Sequence, residues 1–116
     1  MKYLCLIYAS EIDWAKMPKT ETDSVHAQYF AFTNDIKKSG HYIAGDALQP
    51  TNTASTVRVR QGKISTTDGP FAETKEQLSG YYMIDAKDLN EAIQIAARIP
   101  SAHSGSIEVR PVLAMG

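Results

Sequence analysis

The side chains suited to chemistry are few and widely spaced. Of the three histidines, His26, His41 and His103, His26 is the candidate for proton transfer. An imidazole with an ordinary pKa of ~6.5 can give or accept a proton near neutrality. Arg58 and Arg110 carry planar guanidinium forks that fit a carboxylate or phosphate, so both are candidate binding residues for an anionic ligand. The run Asp68-Gly69-Pro70-Phe71 is neither strand-like nor helix-like. As the wall of a pocket it would present Asp68 as acid or base and Phe71 as an apolar surface for a ligand. Hydroxyls from Tyr81 or Tyr82 would add a hydrogen-bond donor.

Each candidate also has a structural reading. A histidine at a core margin is commonly a hydrogen-bonded structural residue. The 68–76 stretch could be a rigid linker, with Phe71 as a plug and Glu73, Lys75 and Glu76 solvated. Glu108 could close a structural ion pair with Arg110 or with Arg58. His41 begins a strand beside Gly40, and His103 lies in a polar loop, so both have weaker cases.

The elements that must position these residues follow from periodicity. Residues 2–8 are apolar on both alternate sets, Tyr3/Cys5/Ile7 and Leu4/Leu6/Tyr8, as in a central strand covered on both sides. Residues 9–21 read as a connection anchored by Trp14. Val25, Tyr29, Phe32 and Ile36 fall at helical spacing over 22–39. Thr20 or Thr22 is the expected N-cap, and Gly40 the stop. His26 lies about 100° round from Val25, in a stripe with Phe30, Thr33 and Lys37 expected to border the core. Residues 41–48 form a second strand. Residues 56–60 and 63–67 flank Gln61-Gly62, a hairpin turn pairing Val59 with Ile64, Val57 with Thr66 and Arg58 with Ser65.

Asp68 is expected to turn its carboxylate onto the backbone that follows. Residues 81–85 form another strand. Asp88 to Glu91 is a capping box opening a helix whose buried stripe is Leu89, Ala92, Ile93 and Ala96, ended by Pro100. In the last strand, 107–113, Ile107 and Val109 point one way and Glu108 and Arg110 the other. Without the inserted hairpin the order is strand, helix, strand, strand, helix, strand. That is the ferredoxin-like α+β sandwich. Both helices then cover one sheet face, so the doubly apolar first strand predicts a homodimer with sheets packed face to face.

A chain of 116 residues with 43% apolar and 22% charged residues suits one globular domain spanning 1–116. A net charge of −1 lacks the basic field that nucleic acid or an anionic membrane requires. No apolar run approaches the ~20 residues of a membrane span, and the expected location is the cytoplasm. The lone Cys5 excludes an intrachain disulfide and reads as a small core residue. There is no glycine-rich phosphate loop, no G-x-S-x-G and no H-E-x-x-H, so neither cofactor nor metal is expected.

The stretch DGPFAETKEQLSGYYMID resembles the signature of the DGPF branch of the YCII-related domains. MKYLCLIY, SGHYIAGDALQPTNTASTVRVRQGK, ARIP and GSIEVRPV extend the likeness along most of the chain. The resemblance implies a ferredoxin-like protomer assembled as a dimeric α/β barrel. It also implies that His26 matches a suspected catalytic histidine early in the first helix. The family's acidic partner for that histidine matches Asp68 or, in reserve, Asp46. The implied activity is cofactor-free chemistry of lyase, isomerase or dehydrohalogenase type on a small organic molecule. The alternative is a non-catalytic ligand sensor or interaction module linked to extracytoplasmic-function sigma factors.

Overall fold

A computed structural model describes residues 1–11 and 15–115; the expected Trp14 anchor lies outside them. Strand β1 (Lys2–Ala9) is followed by helix α1 (Lys19–Lys38), strand β2 (Tyr42–Ala47), strands β3 (Ser55–Arg60) and β4 (Lys63–Asp68), strand β5 (Gln77–Asp85), helix α2 (Leu89–Ala96) and strand β6 (Ser106–Pro111). Strands β2, β5, β1 and β6 form one sheet in that order, and β3 and β4 form a separate hairpin. All pairings are antiparallel. The architecture is α+β, with the strand order of a ferredoxin-like sandwich.

Alternation along β1 sorts its side chains. Tyr3, Cys5 and Ile7 are buried with Tyr82 and Ile84 of β5, against Phe32 and Ile36 of α1 and Ala92, Ile95, Ala96 and Ile99 of the second helical segment. Ile107 and Val109 pack on the same cluster. Leu4 therefore points to the opposite, open face, in register with Met83 and Arg110. Leu6 does the same, in register with Tyr81 and Glu108. Lys2 to Tyr8 thus splits into one buried and one half-buried set, as a strand apolar on both sides requires.

Helix α1 begins earlier than capping residues alone suggest. Pro18 precedes it without a side-chain cap, and its carbonyl accepts from the Glu21 and Thr22 N–H groups at 3.0 and 3.1 Å. Thr22 does not cap; its hydroxyl bonds back to the same carbonyl at 3.3 Å. The end matches expectation. Gly40, at φ +80°, donates to the Lys37 carbonyl, and His41 donates to Ile36, a Schellman closure.

Two stripe assignments are corrected. His26 is exposed and Phe30 is 71% exposed, although Thr33 and Lys37 of the same stripe border the core at Tyr82 and Tyr42. The second helical segment runs beside only the later part of α1. Its contacts are Arg98 with Asp35 and Phe32, and Ser101 with Tyr29. On α2, Ile95 is buried in place of Ile93, and Leu89 and Ile93 are half-exposed. Ala92 and Ala96 bring the helix close to the sheet, and Ile95 and Ile99 complete the contact row at spacings of three and four. The capping box forms: Asp88 accepts from the Glu91 N–H at 2.9 Å, and the Glu91 carboxylate accepts from the Lys87 N–H at 3.0 Å.

The hairpin has the expected register. Its turn places Gln61 at φ 53° and Gly62 at φ 76°, the two positive values a two-residue primed turn needs. Asp68 ends β4 opposite Ser55 and makes no turn with its own backbone, because Pro70, two residues on, has no N–H. The turn is held instead by the Gly69 N–H donating to the Ala54 carbonyl at 2.7 Å. Strand β5 also starts earlier than expected, at Gln77, accommodated by a register shift between Ile7 and Tyr8.

The molecule measures 48 × 47 × 19 Å, with a radius of gyration of 16.2 Å; a compact domain of this length has about 13 Å. Nineteen ångströms accommodate one helix layer on one sheet. The hairpin therefore projects outward beside the layers and does not fold over the open face.

Candidate functional site

One groove of about 780 Å³ opens where β1 leaves the sheet and β5 and β6 enter it, lined by Tyr8, Ser10, Thr74, Lys75, Glu76, Ser104, Ser106 and Glu108. Strand alternation positions three of these: Tyr8 pairs with Ser106, and Glu108 follows two residues later on the same open face. The trailing part of the 68–76 stretch supplies the wall, fixed by the Ser106 hydroxyl donating to Glu76 Oε1 at 2.8 Å. Gly105 lets β6 approach that closely, since a Cβ there would lie 2.2 Å from the Tyr8 carbonyl oxygen. Five hydroxyls, two carboxylates and one ammonium therefore surround a space open to solvent. Such a lining can hold a small molecule rich in polar groups.

None of the sequence-predicted site residues, His26, Asp68, Arg58, Phe71, Tyr81 and Arg110, lines it. Arg110 lies on the open face, its Nη2 in an ion pair with Glu108 Oε2 of its own chain, an oxygen that is buried and makes no hydrogen bond among the described residues. Tyr81 also faces the open side, and its hydroxyl donates to Asp46 Oδ2 at 2.9 Å. That bond raises the phenol's pKa above its ordinary value, with the nearby Asp46 charge adding to it; toward a ligand the hydroxyl is left as an acceptor. Tyr82 points into the core, where its hydroxyl meets Thr33 at 2.8 Å. Burial is the main cause of its raised pKa.

The other candidates lie elsewhere. Arg58 is exposed on the polar side of the hairpin, and Asp68 is exposed at its base. Phe71 is 82% exposed, so it plugs nothing in its own protomer. His26 sits on α1, in the layer on the far side of the sheet from Tyr81 and Arg110. Asp46 lies on the open side of the sheet, accepting from the Tyr81 hydroxyl, and Asp68 at the base of the hairpin. The groove residues gave little signal in the sequence. Tyr8 read as part of an apolar strand, and Ser104 as part of the loop that holds His103; the clue was the alternation that sends Glu108 away from Ile107.

A hydroxyl, an imidazole and a carboxylate do line up at the end of α1. Ser39 Oγ lies 2.7 Å from His41 Nδ1, and His41 Nε2 lies 3.2 Å from Glu91 Oε1. The order is that of a nucleophile, a base and an orienting acid. Yet the N–H groups of Ser39, Gly40 and His41 all donate to carbonyls of the helix end, where the helix dipole is negative. None of these three N–H groups is left to donate to an oxyanion. The triple ties α1 to the start of α2.

Among the described residues no cluster of three or more His, Cys, Asp or Glu could hold a metal ion. Among the described residues no helix is long and apolar enough to cross a membrane.

An uncharacterized protein of Rhizobium meliloti (strain 1021) is 38% identical to this chain over 114 residues, covering 97% of this chain and 92% of the relative. The family model for the YCII-related domain matches residues 1–116. With the strand order above, these matches establish that the chain belongs to the YCII-related domain family.

Proposed function

We propose that the chain acts as a homodimer, of the DGPF branch, that binds a small organic molecule in the sheet-end groove. The open faces of two copies pack together in this reading, forming the dimeric barrel. The observation that carries it is the open face itself, where Leu4, Leu6 and Met83 form a half-buried apolar centre beside the Glu108–Arg110 pair. A second apolar face would complete the burial of that centre. The groove opens at the end of the same face, so pairing turns an open depression into a cleft. Lys75 is the one cation among the lining residues and the seat for an anionic group; the hydroxyls take the remaining polar atoms.

The protomer favours binding over catalysis by His26 with an acid. None of His26, Asp68 and Asp46 lines the groove. Native mass spectrometry of protein purified without added ligand tests the reading. We expect a dimer with retained small-molecule mass that is lost in Glu76→Ala and Lys75→Ala and kept in His26→Ala. A monomer at micromolar concentration would sink the dimer. Retention abolished by His26→Ala alone would move the site to the helix layer.

A further inference from the structure

The segment from β3 to Phe71 carries four strongly exposed apolar side chains: Val57 at 61%, Val59 at 56%, Ile64 at 76% and Phe71 at 82%. The hairpin register puts Val57, Val59 and Ile64 on one side. A lone two-stranded hairpin is marginally stable in water, yet this one is regular over six residues per strand and packs extensively against no other element. The flat shape of the molecule keeps it off its own sheet. Whatever covers the apolar side is another molecule.

Three observations identify that molecule as the body of a second copy. The first is charge. Of the twelve Lys and Arg and thirteen Asp and Glu, the hairpin holds Arg58, Arg60, Lys63 and Asp68, leaving the rest with nine cations against twelve anions. Two hairpins repel each other, whereas a hairpin and a body attract. The second is reach, since six residues of strand extend about 20 Å, close to the width of four strands spaced at about 4.8 Å. The third is place. β1 and β2 are each antiparallel to β5 and so run the same way, and β2 leads into the hairpin at the sheet end that holds the groove. The Thr51 N–H, just before the hairpin, donates to Glu11 Oε1, just after β1, at 3.3 Å. In a two-fold dimer, what one copy extends at that end the other receives.

We infer that each hairpin is an arm laid on the partner body across the mouth of its groove. Val57, Val59 and Ile64 pack toward Tyr8, and the tip cations Arg60 and Lys63 reach the carboxylates Glu76 and Glu108. The binding site is then composite, roofed by a hairpin of the other copy. This rests on the dimer reading above and goes beyond it in making the site incomplete in either copy alone.

Trypsin tests it in the intact chain, because Arg58, Arg60 and Lys63 are cleavage points within the hairpin. At high micromolar protein these bonds resist cleavage, and on dilution toward nanomolar they become labile in step with loss of dimer mass. Val59→Lys with Ile64→Lys weakens dimerisation at least about tenfold, with the circular dichroism of the body retained. Arg60→Glu with Lys63→Glu also weakens it, and mixing that variant with Glu76→Lys restores affinity. A wild-type dimer whose hairpin is cut at a concentration-independent rate overturns the arm and leaves the dimer standing. A wild-type monomer at every concentration overturns both, and failure of the charge exchange overturns the placement over the groove.

Discussion

Cys5 shows how a single residue's setting fixes its chemistry. It is fully buried, and burial pushes its thiol pKa from 9.0 up to about 11. A thiolate is the reactive form, so the native protein should react with an aromatic disulfide reagent at pH 8 only as fast as it opens, and promptly once unfolded. The sign of the linkage follows. Between pH 9 and about 11 the folded chain keeps a proton that the unfolded chain releases, so stability is complete below pH 9 and falls as pH rises through that window. The loss is at most about 2 to 3 kcal/mol. Urea titrations across this range should show the decline in wild type and a flatter profile in Cys5→Ala. Tyr82, also raised by burial, contributes in the same direction at higher pH.

At the scale of elements, some local rules read from the sequence held and others did not: neither Thr20 nor Thr22 caps α1, and Asp68 makes no turn onto the backbone that follows, whereas the α2 cap and the hairpin turn form as expected. Asp88 caps α2 as its spacing indicates, and Asp88→Ala should cost about 1 kcal/mol by thermal or chemical denaturation. Gln61-Gly62 sets the hairpin register because a two-residue turn leaves one pairing. His26 was misplaced for a physical reason: helical period gives its angle relative to Val25 but says nothing of how far a neighbouring helix extends. Ile93 and Ile95 were exchanged on α2 for a related reason, since both fit a stripe and only the approach of Ala92 and Ala96 to the sheet selects one. Gly105 is a contact that no periodicity announces. Gly105→Ala should cost about 3 kcal/mol, because the atom it meets is strand backbone that cannot turn aside, and calorimetry would measure it.

For the whole molecule, shape carries the most information. A radius of gyration of 16.2 Å in a chain of this length marks surface that a compact monomer would have buried. The exposed faces are the open sheet and the hairpin, and both belong to the reading of the protein as a dimer. Small-angle scattering should return a particle of twice the chain mass whose radius is smaller than two separate protomers with extended arms would give. Scattering that fits a single extended protomer at high micromolar concentration would contradict this.

The alternation of β1, the amphipathic stripe of α1, the capping box and the hairpin turn are properties of neighbouring residues. They were legible in the sequence together with the α+β order and the outward direction of Glu108 and Arg110. Which of those outward groups meet was decided only by the tertiary structure. Tyr8, Glu76 and Ser106 are distant along the chain, and the pairing of β1 with both β5 and β6 brings them to one groove, while the sheet keeps His26 on its other side. Period tells which way a side chain points; only the packed layers determine what stands opposite it.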